Sequence, residues 1–429
     1  MRRLAPFIVI VVSYFRHHIA VAAFHGPKLA SGEYTAVTSH NNHYLCGTDL
    51  VCWMTVGAGY PPARGAYISA GLPTIDLRVT SVVVTPDYTQ TNPYQQLLSA
   101  ALRDRGVDVT PADGHGPFLP WEFLTPGRPD TIHFHWLHPY LLGRNAVFTF
   151  LKGFVFLVQV LLLQLLGVRV VWTAHNLTEH NPRNPRIERA LKHLTVRMID
   201  VVIVHCESVE DRLLETYWLP ERYRHRLSIV PHGHYRDTYE NDVSREHARE
   251  ELGLDDEFTF LFFGRVCEYK NVTGLIEAFA GIDTPNARLI VAGNPRDEDI
   301  RNRVERAAAW DDRVRTSLEF IPEARVQYYM NAADVVTLPF EEIVTSGSAI
   351  LAMSFANPVV VPDVGCITSV VPEDGGFTYP DDGSEALAAA LERTMDADLD
   401  AVGNANLAAV DQFDWARIAD ETADLYAAR

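Results

Sequence analysis

From Ser81 onward, short runs of β-branched and aromatic residues alternate with segments whose apolar residues recur at helical spacing. Such a chain buries both faces of its strands by winding βαβ units into a parallel sheet. Candidate strands fall at 81–85, 130–135, 168–174, 201–205 and 227–230, with helices near 95–105, 187–198 and 208–217. The turn-rich string Pro231-His232-Gly233-His234 then marks a boundary. A second series follows: strands at 258–263, 288–292, 334–338 and 359–361, and helices at 272–279, 297–310 and 346–355. At 429 residues the chain exceeds one ordinary core. The expected architecture is α/β with two Rossmann-like domains, 81–229 and 230–404. Amphipathic helices over 405–429 are placed to pack back on the first domain.

The net charge of −18 excludes a nucleic-acid binder, because neutralising phosphates needs a basic face. Five scattered cysteines with no paired spacing indicate neither a zinc site nor a disulfide framework, and fit a reducing cytosol. Residues 1–80 differ from the rest, holding three acids and six bases, whereas the following 349 residues hold 52 acids and 31 bases. An apolar run, 5–15, follows Arg2 and Arg3 but ends at Arg16-His17-His18 without a small-residue cleavage site, unlike a signal peptide. Residues 1–80 are therefore expected to be a disordered or irregular extension, or a misassigned start.

Phe148 to Leu166 contains only Lys152, Gln159 and Gln164 as strongly polar residues, the lower length for a membrane span. Three readings are open: a buried helix, a helix lying in a membrane interface, and a spanning helix. The central strand expected directly after it, at 168–174, weighs against spanning.

Phe263-Gly264-Arg265 ends a candidate strand, and Lys270 follows five residues later at a helix start. Both cations would converge at the strand carboxyl ends, where α/β domains bind ligands. An Arg fork and a Lys point charge suit a diphosphate, although such a pair also serves as solvated surface charge. Thr345-Ser346-Gly347-Ser348 opens a helix whose unpaired amides form an anion site or, equally, an ordinary cap. Glu342 beside it is placed to hold sugar or ribose hydroxyls. His175 ends the 168–174 strand and reads as a general base, a neutral donor to a sugar hydroxyl, or a packed structural histidine. His133, His135 and His138 surround Trp136 but lack a fourth zinc ligand. His135 and Trp136, with Asn92 and Tyr94, read as an acceptor wall.

These motifs resemble the GT-B fold glycosyltransferases, closest to the nucleotide-sugar enzymes of glycosyltransferase family 4. The resemblance rests on Pro231-His232-Gly233, Phe263-Gly264-Arg265 with Tyr269-Lys270, Ala292-Gly293-Asn294-Pro295, Ala333-Asp334-Val335 with Leu338-Pro339, and Ser346-Gly347-Ser348 through Pro358-Val359-Val360. It implies two facing domains: the N-terminal one takes a glycan or lipid-linked acceptor, the C-terminal one a nucleotide-diphosphate sugar. No metal or further cofactor is required. It assigns catalysis to His175, Arg265 and Lys270, and donor contacts to His232, Gly233, Gly264, Asn294, Glu342, Thr345, Ser346, Gly347 and Ser348. One departure stands out: two glutamates with seven residues between them in the family fall here on Ile343 and Leu351. Transfer at the cytoplasmic membrane face is the expected activity. A catalytically silent binding subunit and a nucleotide-sugar epimerase are the alternatives.

Overall fold

The computed structural model describes residues 80–427 except 115–117, 121–122, 124–126, 178–183, 342 and 381–382, and, before residue 80, five strand segments. Within Met1–Asp76, β1 (Val9–Phe15) pairs antiparallel with β2 (His18–Phe24). There β3 (Val37–Ser39), β4 (Asn42–Cys46) and β5 (Cys52–Thr55) form an antiparallel sheet. The expectation of an irregular or disordered extension otherwise concerns residues outside those described.

Leu77–Arg429 carries two six-stranded parallel sheets. The first contains β6 (Ser81–Thr85), β7 (Asp108–Pro111), β8 (Thr131–Phe134), β9 (Arg169–Thr173), β10 (Val201–Val204) and β11 (Leu227–Ile229), in the order β11-β10-β9-β8-β6-β7. The second contains β12 (Phe258–Phe263), β13 (Ala287–Ala292), β14 (Val314–Ser317), β15 (Val335–Thr337), β16 (Val359–Pro362) and β17 (Gly376–Tyr379), in the order β14-β13-β12-β15-β16-β17. Central strands such as β8, β10 and β16 are buried along their whole length. That is why β10 and β16 read as continuous Val- and Ile-rich runs, while β8 buries Thr131 and His133 beside Ile132 and Phe134. Each sheet reverses its winding once, between β6 and β8 in the first and between β12 and β15 in the second. Such reversals open a crevice at the strand carboxyl ends.

The carboxyl ends of the two sheets meet. Tyr94 packs on His232 with centroids 4.6 Å apart, and Ser208 Oγ donates to the Gly365 carbonyl at 2.9 Å. The last helix, Trp415–Ala427, returns to the first domain. There Arg105 pairs with Asp420, and the Tyr426 hydroxyl bonds His133 Nδ1 at 2.7 Å. The Trp415 indole N–H donates to the His234 carbonyl at 2.7 Å, fixing the crossover beneath the boundary turn.

One reading is overturned. Cys206, which precedes helix Glu207–Thr216, and Cys366, which follows Gly365, form a disulfide between the two domains. Their separation of 160 residues carries no spacing signal; only the docking of one sheet end on the other brings the sulfurs together.

The apolar stretch forms helix Ala146–Leu165, with the Asn145 side chain accepting from the Phe148 amide at 3.0 Å. Thr149, Gly153, Phe156, Val160 and Leu163 are buried, whereas Phe150, Leu151, Phe154, Leu161, Leu162 and Leu165 are exposed. The helix connects β8 to β9, adjacent parallel strands of one sheet, so it is the crossover of a βαβ unit.

Candidate active site

The expected donor residues lie at the winding reversal of the second sheet, where the loops after β12 and β15 flank one crevice. Beyond β12 and β13 the ladder continues: Gly264 N–H donates to the Ala292 carbonyl at 3.0 Å and Val266 N–H to Asn294 at 3.0 Å. This holds the backbones so close that a Cβ on Gly293 (φ +146) would lie 1.9 Å from the Gly264 oxygen. Gly264 itself has φ +124, where a Cβ would meet Ser348 Oγ at 3.0 Å and Lys270 Nζ at 3.2 Å. Both positions demand glycine. The short turn Glu268–Lys270 then delivers Lys270, and Asn271 Oδ1 caps helix Val272–Ala280 by accepting from Gly274 N–H at 3.2 Å.

Lys270 is only 8% exposed, and its ammonium donates to Ser348 Oγ at 3.2 Å. Burial pulls its pKa down to about 8, opposed by the Cys267 thiol and assisted by the like charge of Arg265. Among the described residues no carboxylate pairs with Lys270 or Arg265. Ser346 Oγ accepts from Ala349 N–H at 3.0 Å, capping helix Gly347–Ser354 and leaving the earlier amides of that turn outside its ladder. Thr345 Oγ1 is buried without a partner. Two neighbouring cations, two hydroxyls and a helix N-terminus, with no described anion among them, form a receptor for negative charge.

Other assigned donor residues fall less centrally. His232 is buried and bonds the Gly233 carbonyl through Nδ1 at 2.8 Å, and Gly233 lies against the Trp415 ring. A Cβ on Gly347 would approach Tyr235 Oη to 3.2 Å and His232 Nε2 to 3.8 Å, so this turn does face the domain boundary. Asn294 contributes its carbonyl to the Val266 bond while its side chain is exposed. Glu342 lies outside the described residues. Ile343 and Leu351, at the places of the absent glutamates, are buried among apolar neighbours.

Across the gap, the first sheet's reversal brings Asn92, Tyr94, His135 and Trp136 to one end. Tyr94 is buried at the hub of a ring cluster, 4.9 Å from His175, 4.6 Å from His232 and 5.4 Å from Trp415. His135 Nδ1 and His175 Nε2 share a hydrogen bond of 3.1 Å, and Trp136 stacks on His175 at 4.7 Å. Trp136, His175 and Asn92 remain partly exposed, whereas Tyr94 and His135 lie beneath them, behind the wall expected from the sequence.

Burial holds every ring of the cluster neutral. It pushes His133 down to about 3, His205 to about 4 and His232 to about 3, and His135 and His175 well below the usual imidazole range. Neighbouring histidines add to the shift of His175. A neutral His175 suits hydrogen bonding to a sugar hydroxyl better than proton abstraction near pH 7. His133 is engaged by Tyr426 and Thr173. Among the described residues no three His, Cys, Asp or Glu side chains gather as a metal site. Sequence reasoning did not single out His205 or Trp415, because each becomes part of the cluster only through contacts across the fold.

Two wound domains whose carboxyl ends face each other over a cationic loop define a glycosyltransferase of GT-B architecture. Residues 68–231 match the family model "Glycosyl transferase 4-like domain" and residues 257–397 the model "Glycosyl transferases group 1". The chain is 30% identical over 329 residues, 76% of its length and 86% of the relative's, to GDP-mannose:glycolipid 4-beta-D-mannosyltransferase of Xanthomonas campestris. Sucrose-phosphate synthase from Thermosynechococcus elongatus superposes with a TM-score of 0.65 at 20% identity, covering 82% of this chain and 98% of that one. Anabaena Alr3699/HepE, solved in complex with UDP-glucose, gives 0.61 at 15% identity, covering 81% and 99%. The chain belongs to the group 1 glycosyltransferases, the family 4 type of GT-B enzyme.

Proposed function

We propose that this glycosyltransferase moves a hexosyl group from a nucleotide-diphosphate sugar to a glycan, glycolipid or lipid-linked acceptor at the cytoplasmic face of a membrane, without a metal. The observation that carries the reading is Lys270, buried beside Arg265 and Ser348 with no described counter-anion. Departure of a nucleoside diphosphate leaves negative charge on a phosphate oxygen. Cations and amides already in place stabilise that charge without reorganising. Arg265, Lys270 and the 346–348 turn are the groups assigned to it, and neutral His175 is assigned to the sugar.

The acceptor side draws on the helix Ala146–Leu165. Its exposed Phe150, Phe154, Leu161 and Leu165 form an apolar face on the acceptor domain, and Leu194 and Trp218 are also exposed there. An amphipathic face of this size suits insertion at a headgroup boundary, where a lipid-linked acceptor would be presented. The name of the Xanthomonas relative, a GDP-mannose:glycolipid mannosyltransferase, supports the same substrate classes.

A second reading, a binding subunit without turnover, is favoured by the apolar Ile343 and Leu351. Thermal melting with GDP, UDP and their hexose conjugates, followed by transfer of labelled sugar to extracted lipid, separates the two. A ligand bound by the native state raises the melting temperature by mass action. Stabilisation with transfer supports the enzyme, stabilisation alone supports the subunit, and no response to any nucleotide overturns both.

A further inference from the structure

We propose that the Cys206–Cys366 disulfide is a redox-governed clasp that holds the two domains closed over the donor loop. The bond is a covalent side-chain link across the gap. Cys206 stands at the head of helix Glu207–Thr216, just past β10 of the first sheet. Cys366 belongs to the second, and its N–H donates to the Val344 carbonyl at 3.0 Å, one residue before the Thr345–Ser348 anion turn. Two more contacts reinforce the seam: Ser208 Oγ on the Gly365 carbonyl at 2.9 Å and Arg212 on the Ile343 carbonyl at 3.4 Å. Val344 and Cys366 pack into the apolar core of the first domain, not of their own.

The position matters because the deepest groups of the anion site are covered in this arrangement, although Arg265 is exposed and Ser348 half-buried. Lys270 and Ser346 are 8% and 6% exposed. Full contact of a diphosphate with Lys270 is eased when the sheets part, and a covalent bond across the seam opposes that parting. Hydrogen bonds at the seam can break and re-form on the time scale of domain motion; a disulfide cannot.

Opening therefore requires reduction by a dithiol. Its thiolate attacks Sγ of Cys206, the less buried of the two residues, and Cys366 leaves as a thiolate that takes up a proton. The second thiol of the reductant then resolves the mixed disulfide, releasing Cys206 as a thiol. Two electrons and two protons pass to the protein, and the dithiol becomes a disulfide.

The test uses the full-length protein before and after dithiothreitol. Alkylation under denaturing conditions, with mass spectrometry, should find 206 and 366 joined before reduction and both alkylated after it. Amide exchange over 343–348 and 206–212 should quicken at least about tenfold on reduction. Cys206→Ser and Cys366→Ala should exchange at the fast rate with or without reductant. Free thiols at Cys206 and Cys366 in the unreduced protein, as distinct from the thiol of Cys267, or exchange at these segments indifferent to reduction, would overturn the clasp. GDP and UDP association rates should rise with reduction. This last readout rests on the donor assignment: if neither nucleotide binds in either state, that assignment fails, while exchange still decides the clasp.

Discussion

The Lys270 ammonium donates to Ser348 Oγ at 3.2 Å, joining loops 78 residues apart in the chain. Through this contact the loop after β12 and the helix N-terminus after β15 become one anion receptor. Lys270→Ala removes the buried cation and leaves Ser348 exchanging its partner for water. Transfer should fall by about a hundredfold or more, the scale for losing one preorganised charge-stabilising donor. Circular dichroism and melting should stay near those of the parent. A folded variant with near-normal transfer would reject the assignment.

The same lysine sets a pH dependence. With its pKa pulled down to about 8 by burial, Lys270 is charged below that pH and neutral above it. Attraction for a diphosphate is therefore present at pH 7 and lost as pH rises past 8. Calorimetric titration with GDP or UDP should show affinity falling between pH 7.5 and 9.5, and Lys270→Arg should flatten the fall because guanidinium stays charged.

Gly264 and Gly293 should respond differently to the same methyl group. On Gly293 it meets the Gly264 backbone oxygen, which cannot swing aside, and φ is +146. Gly293→Ala should cost at least about 2 kcal/mol in denaturant titration. On Gly264 it meets the ends of Ser348 and Lys270, which can move. Gly264→Ala should show a smaller stability loss, with φ +124 still strained, but a marked loss of nucleotide affinity.

Replacing Phe154, Leu161 and Leu165 by Gln alters exposed positions. Melting should barely change, while flotation with anionic phospholipid vesicles should weaken by at least about tenfold, given the free energy of burying each apolar side chain. Equal flotation of variant and parent would assign the acceptor to solution.

The ring cluster predicts acid lability. His133, His135, His175, His205 and His232 have pKa values lowered by burial, whereas in the unfolded chain they titrate near pH 6.5. The unfolded state thus binds more protons below that pH. The stability these neutral rings carry is complete above about pH 6.5 and is lost as pH falls toward their folded values. Each proton adds a slope of about 1.4 kcal/mol per pH unit. Denaturant midpoints should be level from pH 7 to 8 and drop steeply from 6 to 4, with a shallower drop for His205→Asn.

Central strands were readable because a strand buried on both faces is mostly apolar or β-branched: β12 is found where the sequence places it, and β8, β9 and β10 to within two residues at either end. The edge strands β7, β14 and β17 were not, since half their residues face solvent and no run stands out. The same holds for the site. Gly264, Lys270 and Ser346–Ser348 announced themselves by motif, because a strand-end turn and a capped helix are local structures. Tyr94 and His135, read as part of an acceptor wall, are buried, a feature the sequence does not show because exposure depends on what packs above a residue.

What the sequence determined on its own is whatever repeats at short range: the alternation that builds two wound sheets, and the strand-end turn and helix cap that carry Gly264, Lys270 and Ser346. Tertiary structure alone decided the Cys206–Cys366 bond, the five-histidine cluster closed by Trp415 and Tyr426, and the pairing of Lys270 with Ser348. Local propensity fixes dihedrals over a few residues. Contacts across tens or hundreds of residues exist only once burial of two sheets has brought their ends together.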